Sequence, residues 1–467
     1  MSETPLADAV ERFLSDPGTP FTTPGHKRSP EIIDPLLARD LPLFAGADDM
    51  QLSGGYLQSA EALAARLWGA DHVRFSVNGS SHGNHALLWG MCRPGERVAV
   101  SRNLHKSLLV GMILGGIEPV WIFPEVDPVT GLALGYPQDE IEHALEQEVS
   151  ALFLVNPTYV GVMTPLAPVV DAAHARGIPV AVDQAWGGHL GLDPRLPPHA
   201  LGEGADALVL SVHKTLTGFT QSALIAWRDG LIDAATMEAA FELGHTTSPS
   251  GSILGSIDAS RALMEDRGVE VVGRALELAT WVRAQLGAIP GVEVFTGGLG
   301  YPADPLKLVV VLTGSGADGF LVDDDLIAAG VRVEMADRDV LIPLLTVADT
   351  RESVERLVEV FVRTIEQHRG ELLRGVSSAA VWGLRPEVAM APREAYFADH
   401  ERVSHTAAVG RVSAETVAPY PPGIPAICPG EVITAELMDA LRAEAAAGTR
   451  IAYCADPSLD TVAVVAP

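Results

Sequence analysis

Between residues 73 and 227 the chain repeats one pattern, a short apolar run of four or five residues followed by a stretch that fits an amphipathic helix. The runs lie at 73–77, 98–101, 119–123, 151–155, 179–182, 207–210 and 223–227. Runs this short and this apolar read as buried strands, and strands that alternate with helices build a largely parallel α/β sheet with helices on both faces. Such sheets bind their ligands beyond the carboxyl ends of the strands. The residues that follow each run therefore carry most of the functional information.

Ser211-Val212-His213-Lys214-Thr215-Leu216 follows the run at 207–210. A lone lysine near a strand end is usually a solvated surface charge. Asp183, however, closes the preceding apolar run, in Val182-Asp183-Gln184-Ala185-Trp186, and so emerges at the same sheet edge. An acid and a lysine at one edge are what pyridoxal phosphate chemistry requires: the lysine holds the aldehyde as a Schiff base, and the carboxylate keeps the pyridine nitrogen protonated.

Asn78-Gly79-Ser80-Ser81-His82-Gly83-Asn84 joins the first run to a helix starting near Ser81. Free N–H groups, hydroxyls and the positive helix end converge there, which suits a phosphate. An ordinary capped helix start explains the same residues equally well. Ser211 and His213 can add a hydroxyl and an imidazole to a phosphate at this edge. His105, in Arg102-Asn103-Leu104-His105-Lys106-Ser107, follows the run at 98–101; it reads either as a helix-capping histidine or as a ring lying flat on a cofactor. Trp186 suits a core as well as a cofactor contact, while the small Ala185 lets a ring lie close. Thr246 and Ser248 fit an N-cap cluster. Glu334 reads as a solvated charge or a recognition carboxylate.

The 467 residues allow two or three domains, and 60 Asp plus Glu against 32 Lys plus Arg leave a formal charge of −28. That balance argues against nucleic acid or an anionic membrane as partner, and it favours the approach of a cation. Three scattered cysteines exclude a disulfide framework or a zinc site and fit a reducing cytoplasm. The first residues lack a basic segment followed by an apolar run, so export and membrane anchoring are not expected.

Before the repeated pattern, a short helix at 8–14 leads into an extended arm at 22–27 and Gly- and Asp-rich loop text at 45–50 and 53–55. After it, a long helix at 256–286 is expected to break near Gly268. A smaller α/β pattern follows: strands at 292–295, 306–312, 331–334 and 340–345, and helices at 323–329 and 353–369. A helix at 435–447 and a strand at 451–454 end the chain. The expected parts are an N-terminal arm and loop (1–56), a large cofactor-binding domain (57–288), a small α/β domain (289–370) and a C-terminal domain (371–467).

Seven motifs then run in order along the chain: Thr23-Pro24-Gly25-His26-Lys27, Asn78-Gly79-Ser80-Ser81, Arg102-Asn103-Leu104-His105-Lys106-Ser107, Asn156-Pro157-Thr158-Tyr159, Ser211-Val212-His213-Lys214-Thr215-Leu216, Thr246-Thr247-Ser248-Pro249 and Tyr420-Pro421-Pro422-Gly423-Ile424-Pro425. Together they resemble the bacterial ornithine/lysine/arginine decarboxylases, which have the aspartate aminotransferase fold (fold type I) and use pyridoxal 5′-phosphate. The resemblance implies a homodimer or dimer-built oligomer with its sites at the subunit interface. It implies that Lys214 is the Schiff-base lysine, that Asp183 pairs with the pyridine nitrogen and that His105 stacks on the ring. Gly79, Ser80, Ser81, Ala185, Ser211 and His213 would complete the cofactor site, with Thr246 and Ser248 as candidates to reach the phosphate from the partner subunit. His26 and Glu334 are candidate substrate contacts. The chain is similar to the short members, without an N-terminal wing.

Two departures stand out. Many members read Asp-Glu-Ala-His-Gly where this chain has Asp183-Gln184-Ala185-Trp186-Gly187. An acidic His-Pro-Glu-Gly-Pro loop is replaced by Met50-Gln51-Leu52-Ser53-Gly54-Gly55, which leaves the substrate open. The expected activity is decarboxylation of a basic amino acid, with arginine favoured over lysine and ornithine, to an amine for polyamine synthesis. Transamination, elimination or oxidative deamination of a modified amino acid is the alternative within enzymes, and a non-catalytic cofactor-binding module is the alternative outside them.

Overall fold

All seven apolar runs form strands: β1 (His72–Ser76), β2 (Arg97–Ser101), β3 (Glu118–Ile122), β4 (Ala151–Val155), β5 (Val180–Asp183), β6 (Ala207–Ser211) and β7 (Ala223–Trp227). The computed structural model describes residues 2–15, 23–28, 38–43, 55–371, 379–420 and 423–467. The chain divides into two units, Met1–Met91 with Pro179–Gly273 and Cys92–Ile178 with Arg274–Pro467.

In the first unit the strand order is β1, β7, β6, β5. β5 and β6 are parallel, whereas β7 runs antiparallel to both β6 and β1. Two antiparallel steps restore direction, so β1, β5 and β6 all point the same way. Ser76 and Ser211, the last residues of β1 and β6, both pair with Ala223 at the start of β7. Three carboxyl ends therefore meet at one edge. Helix α1 (Pro5–Ser15) and helix α2 (Tyr56–Trp68) precede this sheet, and helix α3 (Gly79–Met91) leaves β1 and packs back over β6 and β7. Gly83 makes that close approach possible, because a Cβ there would overlap Val209 and Ile225.

Some local expectations change. Helix Gly251–Leu286 runs unbroken through Gly268. The glycine costs only about 1 kcal/mol in a helix, and buried Ala262, Met264, Val271 and Val272 on either side hold the turns together. The expected extended arm is a turn where it is described: Lys27 N–H donates to Pro24 O at 3.1 Å, and Lys27 and Arg28 both have positive φ. The loop text at 45–50 and 53–54 lies outside the described residues.

In the second unit β4, β2 and β3 lie in that order and are parallel. A separate four-stranded antiparallel sheet runs in the order Met335–Ala336, Val340–Ile342, Val309–Val311, Glu293–Phe295. Here the strand expected at 331–334 is displaced, because Val331 N–H closes the preceding helix on Leu326 O and only Glu334 N–H reaches across to Ile342 O. The strand expected over 306–312 shrinks to its last part, since Leu306 and Lys307 N–H groups are spent on a turn at Asp304. Past residue 379, His400–Ser404 pairs with Thr461–Val465, a final strand the sequence reading missed, around a core that includes Val417, Ile427, Leu437 and Val462.

Arg102, directly after β2, is 7 % exposed and reaches 323 residues along the chain. Its Nη1 donates to Pro425 O, while its Nη2 donates to Ala426 O and to Glu431 Oε2, each at 3.0 Å. Glu431 is 1 % exposed and also accepts from Cys428 N–H at 2.7 Å. Removing one partner of a buried pair strands the other charge, so Arg102→Leu is expected to cost about 3–5 kcal/mol of stability. Urea unfolding will measure this, and the double variant Arg102→Leu/Glu431→Leu is expected to regain most of the loss.

Candidate active site

The edge where β1, β5 and β6 end carries most of the residues singled out from sequence. Ser80 and Ser211 are buried, and Ser211 Oγ donates to Ser80 Oγ at 3.0 Å. The first-turn N–H groups of Ser80 and Ser81 have no carbonyl four residues back, so hydroxyls and N–H groups converge here. Gly79 contributes conformation: its φ of 69° favours glycine, and its N–H is committed to Gln221 O at 2.9 Å. His213 lies beside this group with Nδ1 at 2.8 Å from Ser222 O. The hydroxyls of Thr215 and Ser222 are buried without partners, the condition of a polar site that is completed by something bound.

Asp183 is 3 % exposed. Its two oxygens are fixed separately, Oδ2 by Asn84 Nδ2 at 2.8 Å and Oδ1 by Ala185 N–H at 3.0 Å. Both oxygens are thus held in place by hydrogen bonds. Lys214, in the short helix Val212–Thr215, places Nζ 4.2 Å from the ring centroid of Trp186, a cation–π distance. Gln184 braces the intervening loop through Gly187 O at 2.8 Å and Ala200 N–H at 2.7 Å. An amide can donate and accept at once, as Gln184 does here.

Asn84 was not recognised as a site residue from sequence. The signal was available, since Ser80 and Asn84 are four apart and share a helix face. Trp186, weighed chiefly as a core residue, is half-buried and faces the lysine.

Other candidates sit differently. Thr246 is half-buried and Ser248 exposed, and Ser248 N–H donates to Thr246 Oγ1 at 3.2 Å. His26 bonds Asp40 Oδ2 through Nε2 at 3.0 Å and accepts Arg28 N–H at Nδ1 at 2.9 Å. In the second unit His105 caps the helix Lys106–Gly115, with Nδ1 accepting from Ser107 N–H at 3.2 Å and lying 2.7 Å from Ser107 Oγ. Glu334 is exposed beside the strand Met335–Ala336. The segment that replaces the acidic loop lies outside the described residues up to Gly54. Among the described residues no cluster of His, Cys, Asp and Glu is placed to hold a metal, and no helix is long and apolar enough to cross a membrane.

The donor set fits pyridoxal phosphate: hydroxyls and a helix start for a phosphate, a buried carboxylate for a cationic nitrogen, and a primary amine for an aldehyde. The fold agrees, being that of the fold type I pyridoxal phosphate enzymes. A serine palmitoyltransferase of Sphingomonas wittichii superposes with a TM-score of 0.59 at 16% identity, covering 78% of this chain and 84% of that one. The chain belongs to the Orn/Lys/Arg decarboxylase family, whose major-domain pattern matches residues 4–297 and whose C-terminal-domain pattern matches residues 377–450. Arginine decarboxylases of Halalkalibacterium halodurans and Bacillus subtilis are 33% and 32% identical to it, each over 99% of this chain and 98% of the relative. The constitutive lysine decarboxylase structure from E. coli superposes with a TM-score of 0.82 at 20% identity, covering 99% of this chain and 82% of that one. The chain is therefore an enzyme that decarboxylates a basic amino acid with pyridoxal phosphate as cofactor.

Two tests follow from the geometry. Asn84→Leu strands Asp183 Oδ2 and is expected to cost about 1.5–3 kcal/mol, the range for a hydrogen bond to a charged group, read by thermal unfolding without cofactor. His82 lies buried between Ser76 Oγ at 3.0 Å and Phe241 O at 2.9 Å, and burial pushes its pKa down to about 4. A histidine depressed in the folded state is protonated first in the unfolded one. Stability present above the unfolded pKa of about 6.5 is thus lost as pH falls towards 4. Calorimetry between pH 7 and 4.5 should show this loss, reduced but not abolished in His82→Gln because His199 is also lowered to about 4.

Proposed function

We propose that the substrate is arginine and that the product is its decarboxylated amine. The arginine decarboxylases that match nearly end to end support this choice. The observation that carries the catalytic reading is the meeting of Lys214, Asp183 and the Ser80–Ser211 pair at one sheet edge.

Pyridoxal phosphate, when bound, supplies an electron sink for the pair released as the carboxylate leaves. Lys214 Nζ is the amine that would hold the cofactor's aldehyde carbon. Trp186 holds that Nζ over its ring face, 4.2 Å from the centroid. Asp183 would face the pyridine nitrogen, and the Asn84 and Ala185 bonds keep its carboxyl aimed. Ser80, Ser81, Ser211 and His213 anchor the phosphate, with Gly79 setting the turn. His105, its Nδ1 turned to Ser107, offers a ring face for stacking, and Thr246 and Ser248 serve the phosphate of a neighbouring subunit in a homodimer. His26 and Glu334 serve the substrate. We place the protein in the cytoplasm, with its free cysteines in keeping, in a route to polyamines. The division at residues 56, 288 and 370 is our reading of its domains; the C-terminal-domain match to 377–450 supports its last part.

Cofactor-loaded protein incubated separately with arginine, lysine and ornithine is expected to release carbon dioxide and an equal amount of amine, fastest with arginine, as identified by mass spectrometry. Lys214→Ala should lower kcat at least about 10⁴-fold and abolish the absorbance of the bound aldehyde. Keto acid or ammonia as product, or faster turnover of lysine, would reject this assignment.

A further inference from the structure

The second unit holds a cavity of about 60 Å³ lined by Asp337 and Glu444 together with Asn103, Tyr159, Trp382 and Thr449. It has room for roughly two waters, enough for a head group of a few heavy atoms and too little for a whole amino acid.

Glu444 is 7 % exposed, and its Oε1 is buried without a hydrogen-bond partner. Its Oε2 accepts from Thr449 Oγ1 at 3.1 Å. Asp337 Oδ1 accepts the N–H groups of Asp339 and Val340 at 2.8 and 2.6 Å. Arg338 is held by both oxygens of Asp339, at 2.9 and 2.5 Å, and Lys307 Nζ lies 4.8 Å from the ring centroid of Tyr159. Of the carboxyls Asp337, Asp339 and Glu444, it is Asp339 that takes the two-pronged bond of Arg338, while Glu444 Oε1 has no hydrogen-bond partner among the described residues. Burial pushes Asp337 up to about 7 and raises Glu444. An entering N–H donor with a positive charge would supply Oε1 with a partner.

We propose that this cavity binds the guanidinium or ammonium head of a small organic cation, with Glu444 and Asp337 as acceptors and Trp382 and Tyr159 as walls. The cation's source rests on the basic-amino-acid reading above: it is the side chain of the substrate itself or a free amine of the same chemistry. The cavity's preference for a cation does not depend on that reading.

Calorimetry with agmatine on the wild-type chain, Glu444→Gln and Asp337→Asn tests it. Binding is expected in the wild type and at least tenfold weaker in both variants. A crystal of the wild-type protein soaked in agmatine should show the guanidinium in the cavity, a result that needs no variant to fold. Unchanged affinity in the folded variants, or an empty cavity at saturating agmatine, would overturn the proposal. Inhibition of the wild type by agmatine that is competitive with arginine identifies the substrate's side chain as occupant, and non-competitive inhibition identifies a free amine. If none of the three amino acids is decarboxylated while agmatine still occupies the cavity, the substrate reading falls and this inference stands.

Discussion

The pairing of Ala223 with both Ser76 and Ser211 is the constraint on which the site depends. β7 is buried along its whole length, so a slip of one residue would turn its side chains to the wrong face of the sheet. Hydrophobic burial therefore sets the register, and the register sets where β1 and β6 stop. Because both stop at the same height, the hydroxyl of Ser80, the second residue of α3, meets that of Ser211, and Lys214 follows three residues on. Apolar strands thus position the polar residues that end them, Asp183 and Ser211, and those that follow.

The same edge shows how a carboxyl group can be accommodated in a dry place. Asp183 has two donors of different origin, one from a helix side chain and one from its own loop backbone. Neither is a cation, so the group is hydrogen-bonded without being paired. Arg102 and Glu431 illustrate the opposite solution, in which the charges consume each other and the result is structural.

Much of this was legible in the sequence. Strand positions were clear, because runs such as 151–155 and 223–227 are apolar throughout and need no tertiary information. Lys214, Asp183 and Ser80 were legible because each follows such a run. What escaped depends on contacts between distant segments. Asn84 gains its role only from a strand ninety-nine residues away. The antiparallel direction of β7 is invisible to a pattern that records burial but not direction. Thr461–Val465 is an apolar run of the same legible kind, and only its pairing with His400–Ser404 depends on distant contacts. The expected break at Gly268 failed for the converse reason, since a local preference of about 1 kcal/mol yields to burial on both sides.

Both units are assembled from separated stretches of chain, and this bears on how the protein can be made. β1 emerges from the ribosome about 150 residues before its partner β7, since His72 pairs with Trp227, and at 5–20 residues per second that is a wait of roughly ten to thirty seconds. Arg102 waits longer for Pro425 and Glu431. During synthesis the early strands are therefore bare edges rich in valine, leucine and phenylalanine, the kind of surface that holdase chaperones cover. The long-range register that builds a precise site also makes the nascent chain dependent on protection until its last hundred residues arrive.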